Sequence, residues 1–187
     1  SVDWKADKAG RITAFALRQR DVLRNGRLWP QRVQVVLAYA SGPMQIVPVT
    51  LNRASQRLPS LIGRPAPHYV YANYGDYGYG QFLLDARSLA QVPQQLGKVE
   101  DNFLRALLWD ALWEAVREAE LAPLAYIEIG LRLAARERDE VTVAGILTRL
   151  RLAYSRYLSG GQQRDCASRL EDFLEQGMLG ANTAGLR

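Results

Sequence analysis

"YANYGDYGYGQFLLDARS", residues 71–88, places three glycines and four tyrosines in its first ten positions and then becomes a mostly apolar run ending at Asp85. Two readings compete for it. A dinucleotide loop needs G-x-G-x-x-G between a strand and a helix, so that the helix N–H groups face the phosphate. Gly75, Gly78 and Gly80 instead give the reverse order, G-x-x-G-x-G, and no P-loop lysine is present. The run Gln81–Leu84 that follows has the character of a strand. The pattern therefore predicts a hairpin: a strand to Asn73, a turn through Gly75-Asp76, and a return strand from Gly78 to Leu84. On this reading residues 71–88 close a β region and hand the chain to helices at Asp85.

The text on either side agrees. Upstream, "RVQVVLAYA" puts Val33, Val35, Leu37 and Tyr39 on one strand face. "RITAFALRQ" alternates Thr13, Phe15, Leu17 with Ile12, Ala14, Ala16, which suits a strand at least partly buried on both sides. "MQIVPVTL" and "HYVYAN" are further short β-type runs, and Pro48 marks the former as an edge strand or a bulge. Turn signals at Asn25-Gly26, Ser41-Gly42-Pro43 and Gly63-Arg64-Pro65 separate them. Short strands at this spacing predict a β-sandwich over residues 1–85.

After Asp85 the period becomes helical. Asp85 is a suitable N-cap for "ARSLAQVPQQLGKV", with Ser88 at the third helical position and Pro93 as a distortion. Asp101 is a suitable cap for "NFLRALLWDALWEAVREAE". Its predicted apolar stripe is Leu104, Leu108, Ala111, Ala115, widened by Phe103 and Leu107, with Trp109 and Trp113 stacked along one flank. "PLAYIEIGLRLAARE" opens on a proline suited to a first turn, and "DEVTVAGILTRLRLAYSRYL" and "RDCASRLEDFLEQGM" follow. About five antiparallel helices over residues 86–187 result. The tail "LGANTAGLR" is expected to fray. The fold class is α+β: a small antiparallel β-sandwich followed by an α-helical domain.

Chemistry is scarce. A zinc site needs three or four ligands at suitable spacing, and the chain has one histidine, His68, and one cysteine, Cys166, far apart. There is no H-E-x-x-H, C-x-x-C or G-x-S-x-G. His68 is expected to be a partly exposed residue at a strand start. Glu137, Asp139 and Glu140 are interleaved by Arg136 and Arg138 and read as a solvated helix–helix junction. No catalytic, cofactor-binding or metal-binding residue is expected in this chain.

Composition narrows the class further. The net charge is +5 over 187 residues, carried by the first half: residues 1–85 hold 11 Lys/Arg against 5 Asp, whereas 86–187 hold 13 Lys/Arg against 14 Asp/Glu. A solvated surface explains this; nucleic-acid binding through the basic half is an alternative, but no reading helix or aromatic–basic RNA motif accompanies it. No apolar run approaches the roughly 18 residues of a membrane span and no secretory signal is visible, so neither a membrane nor nucleic acid is an expected partner. A lone cysteine suits a reducing, cytoplasmic setting. Ser1 in place of Met suits an excised or processed piece.

With its flanks, the opening stretch resembles a segment of the aminopeptidase N family of zinc metallopeptidases. "LPSLIGRPAPHYVYANYGDYGYGQFLLDARSL" carries the family's strand ending in Asn73, the acidic turn at Asp76, Tyr79, the Leu84-Asp85 pair, and Ser88. "VEDNFLRALLWDALWEAVREAEL" resembles the family's first long helix after the sandwich, including Asp101, Arg105, Trp109 and Trp113. The resemblance spans residues 10–158. Gly80 and Gln81 depart from it, standing where many members carry a larger residue followed by a basic one.

The resemblance implies a downstream piece of such an enzyme, the β-sandwich and the start of the C-terminal helical domain. Zinc and the H-E-x-x-H of the parent would lie in a catalytic domain absent from this chain. Without two histidines, a third ligand and a general-base glutamate the chain cannot generate a zinc-bound hydroxide, so it should be inactive alone. Its expected partners are that catalytic domain of the same polypeptide and peptide substrate. It would brace the one and help wall off a chamber for the other. A free-standing protein-interaction scaffold is the alternative.

Overall fold

A computed structural model describes residues 1–23 and 25–180. Among the described residues six strands lie in two antiparallel three-stranded sheets. The outer sheet has the order β1 (Val2–Ala6), β2 (Ile12–Arg18), β5 (Ser55–Arg57). The second has the order β4 (Gln45–Leu51), β3 (Gln31–Ala38), β6 (Tyr69–Tyr71). Val2, Phe15 and Leu17 of the outer sheet share one core with Val33, Val35, Leu37, Val49 and Leu51 of the second, so the two sheets form a sandwich. Pro48 sits opposite Gln34 on the edge strand β4, where its missing N–H leaves no gap in the ladder.

β3 is buried on both faces. Val33, Val35 and Leu37 point to the sandwich core, as their alternation predicts. Val36 and Ala38, on the opposite face, join Tyr69 and Tyr71 of β6 in a second core made mostly of helices. The β4-β3-β6 sheet is thus the middle layer of three. Each fully buried Val or Leu contributes about 1.5–3 kcal/mol, so this shared strand ties the two cores together energetically.

The helices are α1 (Ala86–Gln95), α2 (Asn102–Arg117), α3 (Pro123–Leu133), α4 (Glu140–Leu152) and α5 (Gly160–Gly180). Their starts follow the capping signals. The Asp85 carboxylate accepts from the N–H groups of Arg87 and Ser88, Asp101 from that of Leu104, and Asp139 from that of Thr142. Pro123 occupies the first turn of α3. Between α4 and α5 a π-helical turn spans Ala153–Tyr157. No helix among the described residues is long and apolar enough to cross a membrane. Of the tail "LGANTAGLR", residues 181–187 lie outside the described residues.

Several local expectations are corrected. The return strand Gly78–Leu84 does not form; β6 is followed by a 3-10 turn, Tyr74–Asp76, and then by irregular chain to the cap of α1. The segment lies beside the start of β3 but makes no backbone ladder with it; the Tyr79 N–H goes to the Gln31 side chain instead. The Asn73 side chain closes the loop instead, donating from Nδ2 to Asp76 Oδ1 (3.0 Å) and to the Gly78 carbonyl (3.1 Å) and accepting from the Gly78 N–H (2.7 Å). In β2 Phe15 and Leu17 are buried and Ala16 on the other face is half-buried, whereas Thr13 and Ala14 are exposed. Ile12 is nevertheless buried, because the register shifts at the Lys5/Ala6 bulge. On α2 the stripe runs through Leu104, Leu107, Leu108, Ala111 and Ala115, but Phe103 in the first turn stays 52% exposed. Trp109 and Trp113 do not stack along a flank. Both meet Tyr126 of α3 edge-on, with ring centroids at 6.2 and 5.4 Å. The 137–140 junction is not fully solvated either, since the Glu137 side chain is 2% exposed and paired with Arg105.

Candidate functional site: the groove between the Asn73 loop and α2

The loop from Asn73 to Phe82 lies across α2, and a groove of about 800 Å³ opens between them. Its shape depends on two glycines. Gly75 has φ +77°, and a Cβ there would come within 2.5 Å of the Tyr77 ring. At Gly78 a Cβ would meet Phe82 at 2.6 Å and Val33 at 2.8 Å. These glycines serve a tight loop closure over the sandwich. They do not cradle a phosphate.

The positions that resemble the aminopeptidase N pattern acquire physical roles. Asn73 is 2% exposed and holds the loop through both ends of its amide. The Tyr79 N–H donates to Gln31 Oε1 at the start of β3 (2.7 Å), while its side chain is 93% exposed. Leu84 is buried in the helical core. Ser88, fully buried, accepts from the Val70 N–H (2.8 Å) and donates to Asp85, so the cap of α1 is joined to β6. Tyr74 donates its hydroxyl to Asp101 (2.8 Å), latching the loop to the N-terminus of α2.

The groove wall on α2 is acidic. Asp110, Glu114 and Glu118 recur every four residues and share one face. Asp76 of the loop stands with them, and among the described residues Arg117 is the one basic side chain lining the groove. Gln81 donates its amide to both Glu114 and Glu118 (3.0 Å to the latter). Glu114 is also paired with Arg117 at 2.8 Å, and Asp110 with Arg149 of α4. Leu107, Ala111 and Phe82 give the groove an apolar floor. Tyr71 enters from β6, 5% exposed; burial and then the nearby Asp76 and Asp110 carboxylates push its pKa well up, so its hydroxyl stays neutral. No reading of composition or stripe singled out Tyr71 or the 110/114/118 acids. Their spacing was available, but nothing in it says which element faces them.

A second polar cluster is structural. Arg105 of α2 holds Glu137, between α3 and α4, with two hydrogen bonds and also donates to the Val99 carbonyl and Asn102. Burial works against the Glu137 carboxylate. The Arg105 hydrogen bond and the N–H groups of Arg138 and Asp139 outweigh it and hold the pKa below the usual range.

His68 stands at the entry of β6, half-buried, its N–H bonded to the Ala38 carbonyl at 2.8 Å. Cys166 is buried in the helical core on α5. Neither joins the groove, and among the described residues no group of three or more His, Cys, Asp or Glu is arranged to hold a metal ion.

A model of the family described as "ERAP1-like C-terminal domain" matches residues 69–178, beginning at the first residue of β6. Aminopeptidase N of Streptomyces lividans is 29% identical over 164 residues, covering 82% of this chain and 19% of that protein. The chain therefore spans about a fifth of the length of the curated relative it matches.

Proposed function

The chain belongs to the ERAP1-like C-terminal domain family, as the C-terminal region of an aminopeptidase N-family enzyme, and from that premise we propose that its work is mechanical. In this reading the parent enzyme removes residues from peptide N-termini with zinc held in another part of the polypeptide. This chain braces that part and helps wall the chamber that receives the peptide. The observation that carries the proposal is β3, which belongs at once to the sandwich core and to the helical core. A strand buried on both faces resists shear between the layers it joins, as a brace must. Val22, Trp29, Tyr77 and Tyr79 are 65–93% exposed and supply apolar surface for a neighbouring domain. Closing a chamber of this kind excludes water and holds the substrate in place. A reducing, cytoplasmic setting suits the free Cys166.

This chain's own residues do not fit a catalytic zinc. His68 and Cys166 are its one histidine and one cysteine, placed at the β6 entry and on α5, and no glutamate stands in an H-E-x-x-H. No hydrolytic step is assigned to it. The test compares the parent polypeptide, the parent without this segment, and the 187-residue chain alone on an aminoacyl-fluorophore, with the metal content of each measured. Turnover by the intact parent, severe loss on deletion, and none in the isolated chain are expected. A parent gene with no H-E-x-x-H and downstream zinc-binding Glu before this segment, or metal-dependent turnover by the isolated chain, would overturn the reading.

A further inference from the structure

We propose that the end of the sandwich carrying Ser1 is the docking surface for the polypeptide that precedes Ser1 in the parent, and that the surface it meets is apolar at its centre and acidic at its rim. This assignment rests on the reading of the chain as the C-terminal region of a larger enzyme. It adds to that reading which face is covered, by which segment, and with what chemistry.

The strands fix where that end lies. The Ser1 nitrogen donates to the Arg18 carbonyl and the Arg18 N–H to the Ser1 carbonyl, each at 2.9 Å. The Gln19 N–H donates to the Ala54 carbonyl (3.0 Å), which brings in the turn between β4 and β5. The connection from β2 to β3 leaves at Arg18 and returns at Gln31, whose side chain accepts from the Tyr79 N–H. Ser1, these two connections and Tyr79 of the Asn73 loop therefore share one end of the sandwich.

That end exposes apolar side chains. Val22 (85% exposed), Leu23 and Trp29 come from the β2–β3 connection, and Tyr77 and Tyr79 (93% exposed) from the Asn73 loop. Val22 lines the same groove as Tyr77 and Tyr79, so the two sets are contiguous. At the opposite end the turns over residues 7–10 and 41–43 carry only Asp, Lys, Ala, Gly, Ser and Pro. Large apolar groups gathered at one end mark a surface that is covered in the working protein. The connection is also held in shape without them. The Asp21 carboxylate accepts from the N–H groups of Leu23 and Asn25, both at 3.0 Å, an Asx-type turn that leaves Val22 and Leu23 outward.

Two observations name the occupant. The chain matches about a fifth of the length of the Streptomyces lividans aminopeptidase N, and its family model is that of a C-terminal domain. Most of such a polypeptide arrives through Ser1, at the end where the apolar groups stand. A segment tethered there meets them at a high effective concentration, an advantage that a second copy or a separate protein lacks. The rim gives the sign of the partner. Arg20, Arg27 and Arg53 are exposed on the same two connections. Interfaces pair an apolar centre with a polar rim of complementary charge, so the facing surface carries carboxylates around an apolar patch.

The test is hydroxyl-radical footprinting of the intact parent, native and urea-unfolded, read by mass spectrometry. Val22, Trp29 and Tyr79 should be protected severalfold in the native parent, although their side chains are exposed in this chain by itself. Protection of Val36, buried in the chain's own core, shows that the fold is intact. In the parent, Val22→Asp with Trp29→Asp should raise labelling at Tyr79 while Val36 stays protected. Arg27→Glu with Arg53→Glu should raise it too, by setting like charges against the rim. Native labelling of Val22, Trp29 and Tyr79 as high as in urea would overturn the proposal, and so would Tyr79 labelling unmoved by the apolar pair of substitutions. No response to the arginine pair strikes out the acidic rim. Protection that fades as the parent is diluted assigns the surface to a second copy and overturns the proposal as well. None of these readouts needs turnover. A protected surface in a parent without H-E-x-x-H keeps this proposal and sinks the aminopeptidase reading; an active parent with the surface fully labelled does the reverse.

Discussion

Arg105 on α2 holds both oxygens of Glu137, Nε to Oε2 at 2.6 Å and Nη2 to Oε1 at 2.7 Å, across a junction where the glutamate side chain is 2% exposed. This pair joins the start of α2 to the turn between α3 and α4. Removing one partner of a buried pair leaves the other charge unpaired. Glu137→Ala or Arg105→Ala should therefore cost about 3–5 kcal/mol in denaturant unfolding. A loss below about 1 kcal/mol would mean that the pair behaves as a surface contact.

The same carboxylate predicts a pH dependence. Its folded pKa is lowered from the model-peptide value of 4.5, so ionised Glu137 stabilises the fold above pH 4.5, and that stabilisation is lost as pH falls through the lowered folded value. Unfolding midpoints measured across that acid range should fall more steeply for the wild type than for Glu137→Gln. Parallel slopes would contradict the assignment.

The Asn73 loop should be sensitive at two positions for different reasons. Asn73→Ala removes three hydrogen bonds of a 2%-exposed side chain and should cost roughly 2–3 kcal/mol. Gly78→Ala drives a methyl into Phe82 and Val33 and should cost roughly 1–3 kcal/mol by overpacking. Thermal unfolding measures both, and limited proteolysis should cut near residues 74–80 first in either variant. Unchanged melting of both would show that the loop does not depend on this closure.

Ser88 carries the link between α1 and the middle sheet. Ser88→Ala leaves the Val70 N–H buried without its partner and should cost about 1–3 kcal/mol. Asp85→Ala removes the cap and should cost about 1 kcal/mol. A double-mutant cycle by denaturant titration should give a coupling energy well above zero, because the two side chains are hydrogen-bonded to each other.

Two aromatic residues on α2 should behave oppositely. Trp113 is 9% exposed and edge-on to both Tyr126 and Tyr157, so Trp113→Ala should cost about 3–5 kcal/mol. Phe103→Ala, at 52% exposed, should cost under about 0.5 kcal/mol. Equal losses would place Phe103 in the core after all.

The helices and most strands were legible because their signals are local. Asp85 and Asp101 announce helix starts by the chemistry of orphan N–H groups, and Pro123 and Pro48 sit where a missing donor is tolerated. The return strand after Gly78 was misread for the opposite reason. Alternation describes a strand's faces, but a strand exists by its ladder, and beside β3 this segment bonds to the Gln31 side chain and not to backbone. Phe103 fitted the helical period of α2 and still faces solvent, although Leu104 beside it in the first turn is buried.

By itself the sequence determined the class of this protein: strands before Asp85, capped helices after it, and a single histidine and a single cysteine. Those features depend on neighbours a few residues apart, or on which residue types are present at all. Only the tertiary structure decided that Val36 and Ala38 bury against helices, that Glu137 meets Arg105, and that Tyr71, Asp76 and Gln81 face the acids of α2. Each is an encounter between side chains far apart in sequence, 32 residues for Arg105 with Glu137 and 33 for Gln81 with Glu114. Periodicity reports which face a side chain occupies; what covers that face is settled when the layers pack.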